Sequence, residues 1–379
     1  MNKQQFVRIF APLIYIGFCL AVLVGSQLQR GDSYDMLMYV AAAKSIETSD
    51  INEIHRATFA GLKANVAKEN YASYFNNKYR KAVSESPELL AQQLPFYQIR
   101  IVYNSLVYAV HRLGANYYSA THIVNALAVF FALIIFYFAF REKIQPLYWL
   151  SVPVFLLLMG IFRMSRMSIS DGLAMTGVAL TAYLLVKEKK NLLVFLLPLL
   201  VLVRTDMLLF VFIVATYSFI YHRECRWQTG VAVVATLISY VAVNRFYGNY
   251  GWSTLFYFQF IDRVPNPADL NPVIQISDYI KVFSSQLKEI FYDKQFLGFF
   301  LILMLTWFLQ KQQSVRAYFI SNEQNRLFML SLICFGYVLA HFVLFPLIWY
   351  RFFIGQYVMA YLVFLAVLTL RTQPKSQVI

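Results

Sequence analysis

A chain of 379 residues with 59% hydrophobic residues, 14% charged residues and a mean hydropathy of +0.55 carries more apolar surface than one water-soluble core can bury. Its net charge of +14 is not a nucleic-acid signal, because most Lys and Arg fall in short connections between apolar runs, where they orient a chain against anionic lipid. The three cysteines give no pattern and imply no disulfide or zinc framework: Cys19 and Cys334 sit inside apolar runs and Cys225 in a short basic turn.

The N-terminus, MNKQQFVRIFAPLIYIGFCLAVLVGS, places Lys3 and Arg8 before an apolar run with no convincing small-x-small cleavage site, and it reads as a retained first span over residues 10–27. Residues 28–117 form a large polar outer loop, expected to fold as short surface helices that include SDINEIHRATFAGLKANVAKEN and residues 84–93. Inside it, FYQIRIVYNSLVYAVHRLG (residues 96–114) is interrupted by Arg100, Asn104, His111 and Arg112. Counting it as a span inverts every later loop, so it is expected to be an interfacial amphipathic helix.

Spans are then expected at 118–140, 147–163, 170–186, 192–204, 206–222 and 228–246, which together make up the core segment 118–246. A second outer loop, 247–293, opens with YGNYGWSTLFYFQF and passes through VPNPADLNP into an amphipathic helix. The C-terminal segment 294–379 carries spans at 294–310, 327–348 and 352–370. The expected fold is thus one all-α, polytopic transmembrane bundle of ten spans, several shorter than the ~20 residues of a perpendicular crossing. With the N-terminus inside, the inner turns hold Arg141 and Lys143; Lys187, Lys189 and Lys190; Arg223 and Arg226; Lys311, Arg316 and Arg326; and Arg371 and Lys375. This positive-inside pattern implies a plasma (inner) membrane protein with both termini cytoplasmic. There is no internal repeat, low-complexity tract or Gly-rich phosphate loop.

The chemistry collects at the outer ends of the spans. In RGDSYDMLMYVAAAKSI, Asp32, Asp35 and Tyr39 fall at i, i+3 and i+7 and share one helical face, where Asp32 and Asp35 can form a capping box and either carboxylate can also serve as a base. FRMSRMSISDGLAMTG brings Arg163, Arg166, Ser168 and Asp171 to another junction, with a second capping box expected from Ser168 to Asp171. VRTD breaks a 31-residue apolar stretch with Arg204 and Asp206, which requires a hairpin apex; a structural ion pair is the plain reading and a functional site the favoured one. FPLIWYRFFIGQY places Arg351 outside, against the charge bias, framed by Trp349, Tyr350 and Phe352, as an interfacial anchor or as a receptor for a lipid phosphate.

This layout resembles the GT-C superfamily of integral membrane glycosyltransferases, which use polyprenyl-phosphate sugars on the outer leaflet. The likeness covers most of the chain: one N-in helix, a helical outer loop opening with an acidic motif, six core spans, then a second outer loop. Asp35, Tyr39 and Ala43 match the family's acidic motif better than Asp32 does, and SISDGL and the Arg204 hairpin are also similar. The chain departs from many members in lacking an adjacent acidic pair after Asp35 and a large soluble C-terminal domain. The resemblance implies Asp35 as the general base, with Asp32 second, in an inverting displacement. Arg351 and Arg204 would hold the donor phosphate, Tyr39, Arg163, Arg166, Asp171 and Asp206 would shape the pocket, and Tyr257, with Trp252, would stack on sugar or else belong to an interfacial aromatic belt, the commoner use of such residues. The implied partners are a polyprenyl-phosphate-linked sugar, a glycan, lipid or protein acceptor and membrane lipids, with no nucleic acid. No cofactor is required by the sequence, and a divalent cation is left open.

Two other classes fit parts of the pattern. An O-antigen-type polymerase or ligase also pairs a large outer loop with outer arginines but lacks the early acidic base. A transporter calls for inverted repeats, broken helices and midplane charges, whereas the ionisable residues here sit at span ends.

Overall fold

The computed structural model describes residues 3–31, 33–310 and 323–372. Helix accounts for 81% of the structure and the described residues contain no strand. In lipid, every backbone polar group must be satisfied within the chain, and helices do this locally. Five helices, Phe6–Leu28, Tyr117–Phe140, Arg223–Phe246, Gln324–Leu344 and Tyr350–Thr372, are long and apolar enough to cross a membrane. Ile276–Ile290 and Lys294–Gln310 make a sixth candidate, bent by 76° between them. Leu13 and Phe308 are 58% and 77% exposed on such helices, which suits hydrocarbon and not water. The chain is a multi-pass membrane protein.

Four of the expected spans correspond to shorter apolar helices, Pro146–Leu158, Asp171–Val186, Lys190–Val203 and Met207–Tyr221. Lys190–Val203 has 14 residues; at ~1.5 Å per residue it is shorter than the ~30 Å of a hydrocarbon core. The expected continuous helix over 147–163 is broken, because Gly160 adopts φ 79° and starts a separate helix, Ile161–Ser165. Only glycine takes that conformation without strain, and the turn carries Arg163 alongside the Tyr350 ring. Residues 96–114 form two short helices, Pro95–Gln98 and Ile101–Arg112. Lys311, Arg316 and Lys375 of the expected inner turns lie outside the described residues.

Tyr350–Thr372 is the central helix, packed against Asp171–Val186, Lys294–Gln310 and Glu323–Leu344. The most extensive pairing joins Tyr117–Phe140 to Asp171–Val186. Gly172 permits that approach, since a Cβ there would lie 2.4 Å from Asn125 Oδ1. Asn125 uses the closeness fully: Oδ1 accepts from Gly172 N at 3.1 Å, and Nδ2 donates to the Met164 and Met167 carbonyls at 2.8 Å each.

Between the first two long helices, Tyr34–Lys44, Ile51–Ala60, Lys78–Glu85, Pro87–Gln93 and their neighbours build a small helical layer with its own apolar core of Met36, Leu37, Ile54, Val83, Leu90 and Tyr118. Its helix starts are legible in the sequence: Asp50, Asn77 and Ser86 each cap with a side-chain oxygen, and Pro87 takes the first position of its helix. At the opposite end of the bundle the helix ends are tied by ion pairs, Lys187 with Glu142 at 2.5 Å, Arg326 with Glu188 at 2.6 Å and Lys190 with Glu224. The bundle thus has an acidic–arginine end under the helical layer and a basic end away from it.

Candidate functional site

The site is assembled from four helix starts. Tyr34–Lys44 begins at Ser33 with no side-chain cap bond, and Asp35 lies in its first turn. This corrects the capping box expected from Asp32 and Asp35: Asp32 lies outside the described residues, Ser33 takes the cap position, and the Asp35 carboxylate is left for other partners. Those partners come from distant sequence. Arg351 Nη2 donates to Asp35 Oδ2 at 3.1 Å across 316 residues, and Tyr97 Oη donates to Oδ1 at 3.2 Å. Burial pushes the Asp35 carboxyl upward, but the Arg351 guanidinium, reinforced by Arg100 and the Tyr97 hydroxyl, outweighs it and holds the group below the usual carboxylate range.

Arg351 sits in the first turn of Tyr350–Thr372, where the helix dipole disfavours a cation. Two carboxylates offset that cost: Asp35, and Asp171 with Oδ2 at 3.7 Å from Arg351 Nε. Asp171 starts its own helix, where negative charge is favoured, and it also contacts Arg204. Arg204 in turn grips Asp206 with both prongs, Nε to Oδ1 at 3.0 Å and Nη2 to Oδ2 at 2.7 Å. His341 Nε2 stands 3.5 Å from Asp206 Oδ2. The result is a line of alternating partners, Asp35, Arg351, Asp171, Arg204, Asp206 and His341. Aromatic faces cover the cations: Phe352 lies 4.5 Å from the Arg204 guanidinium, and Trp349 lies 4.6 Å from that of Arg351.

The expected capping box from Ser168 to Asp171 is likewise replaced. Ser170 takes the cap position, Ser168 Oγ bonds Thr121 Oγ1 at 2.8 Å, and Asp171 faces the two arginines. Tyr39 shares the face of Asp35, since both reach Tyr97, and its hydroxyl bonds Ser170 Oγ at 3.0 Å. Arg166 is used locally: its Nε donates to the Gln29 carbonyl, while its own carbonyl accepts from Gly31 N and faces His122 Nδ1, at 2.9 Å each. Arg163 is exposed against Tyr350 and has no carboxylate partner among the described residues. Tyr257 is half-buried on Trp252–Phe260, and among the described residues no hydrogen bond or ring contact joins it to the Asp35 line; Trp252 Nε1 donates to the Leu344 carbonyl at 2.8 Å.

Three contributors escaped the sequence reading. Tyr97 and Arg100 lie in the segment expected to be interfacial, where the sequence shows the charge but not its target; the Arg100 guanidinium lies over the Tyr39 and Tyr97 rings at 5.7 and 5.5 Å. His341, a lone imidazole in an apolar run, was the other available signal. Among the described residues, no group of three or more His, Cys, Asp or Glu side chains is placed to hold a metal ion. No family model, curated protein or solved structure matches this chain.

Proposed function

We propose that the protein is a membrane glycosyltransferase that moves a sugar from a polyprenyl-phosphate donor to a hydroxyl acceptor, with Asp35 as base and Arg351 as the receptor for the donor phosphate. The observation that carries this is the convergence of a part-exposed carboxylate and a guanidinium, 3.1 Å apart, at one end of a membrane bundle. A base and a phosphate-binding cation are what an inverting displacement at an anomeric carbon needs on its two sides. Asp35 takes the proton of the acceptor hydroxyl as its oxygen bonds to the anomeric carbon. The bond from that carbon to the phosphate oxygen breaks, and its electron pair leaves with the polyprenyl phosphate.

In the resting pair, Arg351 makes Asp35 a weak base. A donor phosphate competes for the same guanidinium; as Arg351 turns to it, the Asp35 carboxylate loses its nearest cation and becomes more basic when the donor is in place. Arg204, saturated by Asp171 and Asp206, serves to hold Asp171 beneath Arg351 and reaches phosphate only by giving up a carboxylate. The favoured orientation remains ten spans with both termini cytoplasmic, so the Asp35 end faces outward, in keeping with the basic residues at the opposite end.

The test is transfer from a panel of polyprenyl-phosphate sugars to acceptors in native membranes. Asp35→Asn is expected to lower turnover at least ~100-fold, as loss of a general base does, while detergent stability is kept. Full activity in that variant removes Asp35 as the base and favours a polymerase or ligase that relies on arginines alone.

A further inference from the structure

At the basic end, far from Asp35, a cavity of about 330 Å³ opens between the first helix and the turn after Tyr117–Phe140. Its lining is Arg8, Pro12, Tyr137, Arg141, Glu142, Pro146 and Trp149. The aromatic residues are rigidly set: Trp149 packs edge-on against Tyr137 at 4.9 Å and Tyr15 at 5.1 Å. Trp149 is 2% exposed, yet its indole Nε1 is buried without a hydrogen-bond partner. That nitrogen is closed off by its neighbours, so Trp149 serves the cavity as a rigid wall.

The charge in the lining points to an anionic ligand. Arg8 is exposed and has no carboxylate partner among the described residues. Arg141 has Glu142 at 3.7 Å, but Glu142 is held more closely by Lys187 at 2.5 Å, so the two guanidiniums retain positive charge toward the cavity. Around this polar pocket the surface is apolar: Phe6, Phe10, Leu13, Phe138 and Leu147 are 40–58% exposed. We propose that the cavity is a binding site for the phosphodiester headgroup of an anionic phospholipid, with the two guanidiniums donating to phosphate oxygens and the acyl chains lying on the exposed apolar side chains. In the orientation proposed above this is an inner-leaflet lipid, but the site does not depend on the orientation or on the transferase reading.

Native mass spectrometry of the full-length protein, exchanged with phosphatidylglycerol or phosphatidylcholine, tests the site. The wild-type chain should retain one phosphatidylglycerol at least ~10-fold more tightly than phosphatidylcholine. Arg8→Ala with Arg141→Ala should abolish the preference. The double variant and the wild type are compared at matched melting temperature; the two arginines are exposed or half-exposed, so their removal leaves the fold intact. Equal retention of the two lipids by the wild type, or an undiminished preference in the double variant, overturns the site. Displacement of the lipid by millimolar inorganic phosphate or glycerol phosphate does so too, because it assigns the pocket to a soluble anion.

Discussion

At the scale of single residues, Arg351 and Arg204 look alike in sequence and differ in their surroundings. Arg204 is 6% exposed and lies between Asp171 and Asp206, so Arg204→Ala leaves Asp171 only its 3.7 Å contact with Arg351 and Asp206 only His341. Breaking a buried pair in this way costs about 3–5 kcal/mol, and the variant should be recovered in low yield with a lowered melting temperature. Arg351→Ala leaves Asp171 its other arginine and Asp35 a 31% exposed side chain, so its effect should fall mainly on donor use, with a smaller loss of stability from the broken Asp35 pair. Arg351→Lys keeps the charge without the planar fork and should show an intermediate loss. The pH profile supplies a separate check. Asp35 has a depressed folded-state value, so its pairing stabilises the fold fully above the ordinary carboxylate range, and this contribution is lost as pH falls through the depressed value. Removing the cation raises the Asp35 carboxyl, and the acid limb of kcat/KM should therefore move to higher pH in Arg351→Ala. An unmoved limb assigns it to another group.

At the scale of elements, spacing alone placed Asp35 and Tyr39 on one face because helical periodicity is local. It could not show that Tyr97 and Arg100 fold back over them, since that contact depends on the packing of the helical layer. The cap assignments failed for a related reason: Asp35 and Asp171 satisfy the local pattern of a capping acid, but arginines from distant helices compete for their oxygens and win. The break at Gly160 was hidden in an apolar run, where only the positive φ reveals it. The Gly172 contact is the element most open to test. Gly172→Ala forces a methyl against Asn125 and should destabilise the protein by about 1–3 kcal/mol, as overpacking does. Asn125→Ala should cost a similar amount, because the Met164 and Met167 carbonyls lose their donor. A melting temperature unchanged in both variants removes this junction from the set that positions Asp171.

At the scale of the whole molecule, the apolar composition dictated helices and a membrane, because lipid admits few other solutions. Sidedness comes from the distribution of Lys and Arg and is open to direct labelling. Single cysteines in residues 50–90 and 262–275 should react from outside, and those in 311–326 from inside; the native Cys19, Cys225 and Cys334 are buried and compete little. Opposite sidedness for the two large loops contradicts the ten-span orientation. The catalytic proposal itself is tested most directly by binding of polyprenyl phosphate, compared with the matching polyprenol, to the protein in nanodiscs. The phosphate should bind at least ~10-fold more tightly than the alcohol, as a charge-assisted contact implies; Arg351→Ala should erase the difference, and Asp35→Asn, which removes the competing carboxylate, should increase it. Equal binding of phosphate and alcohol, or a preference untouched by Arg351→Ala, would show that Arg351 does not receive the donor phosphate.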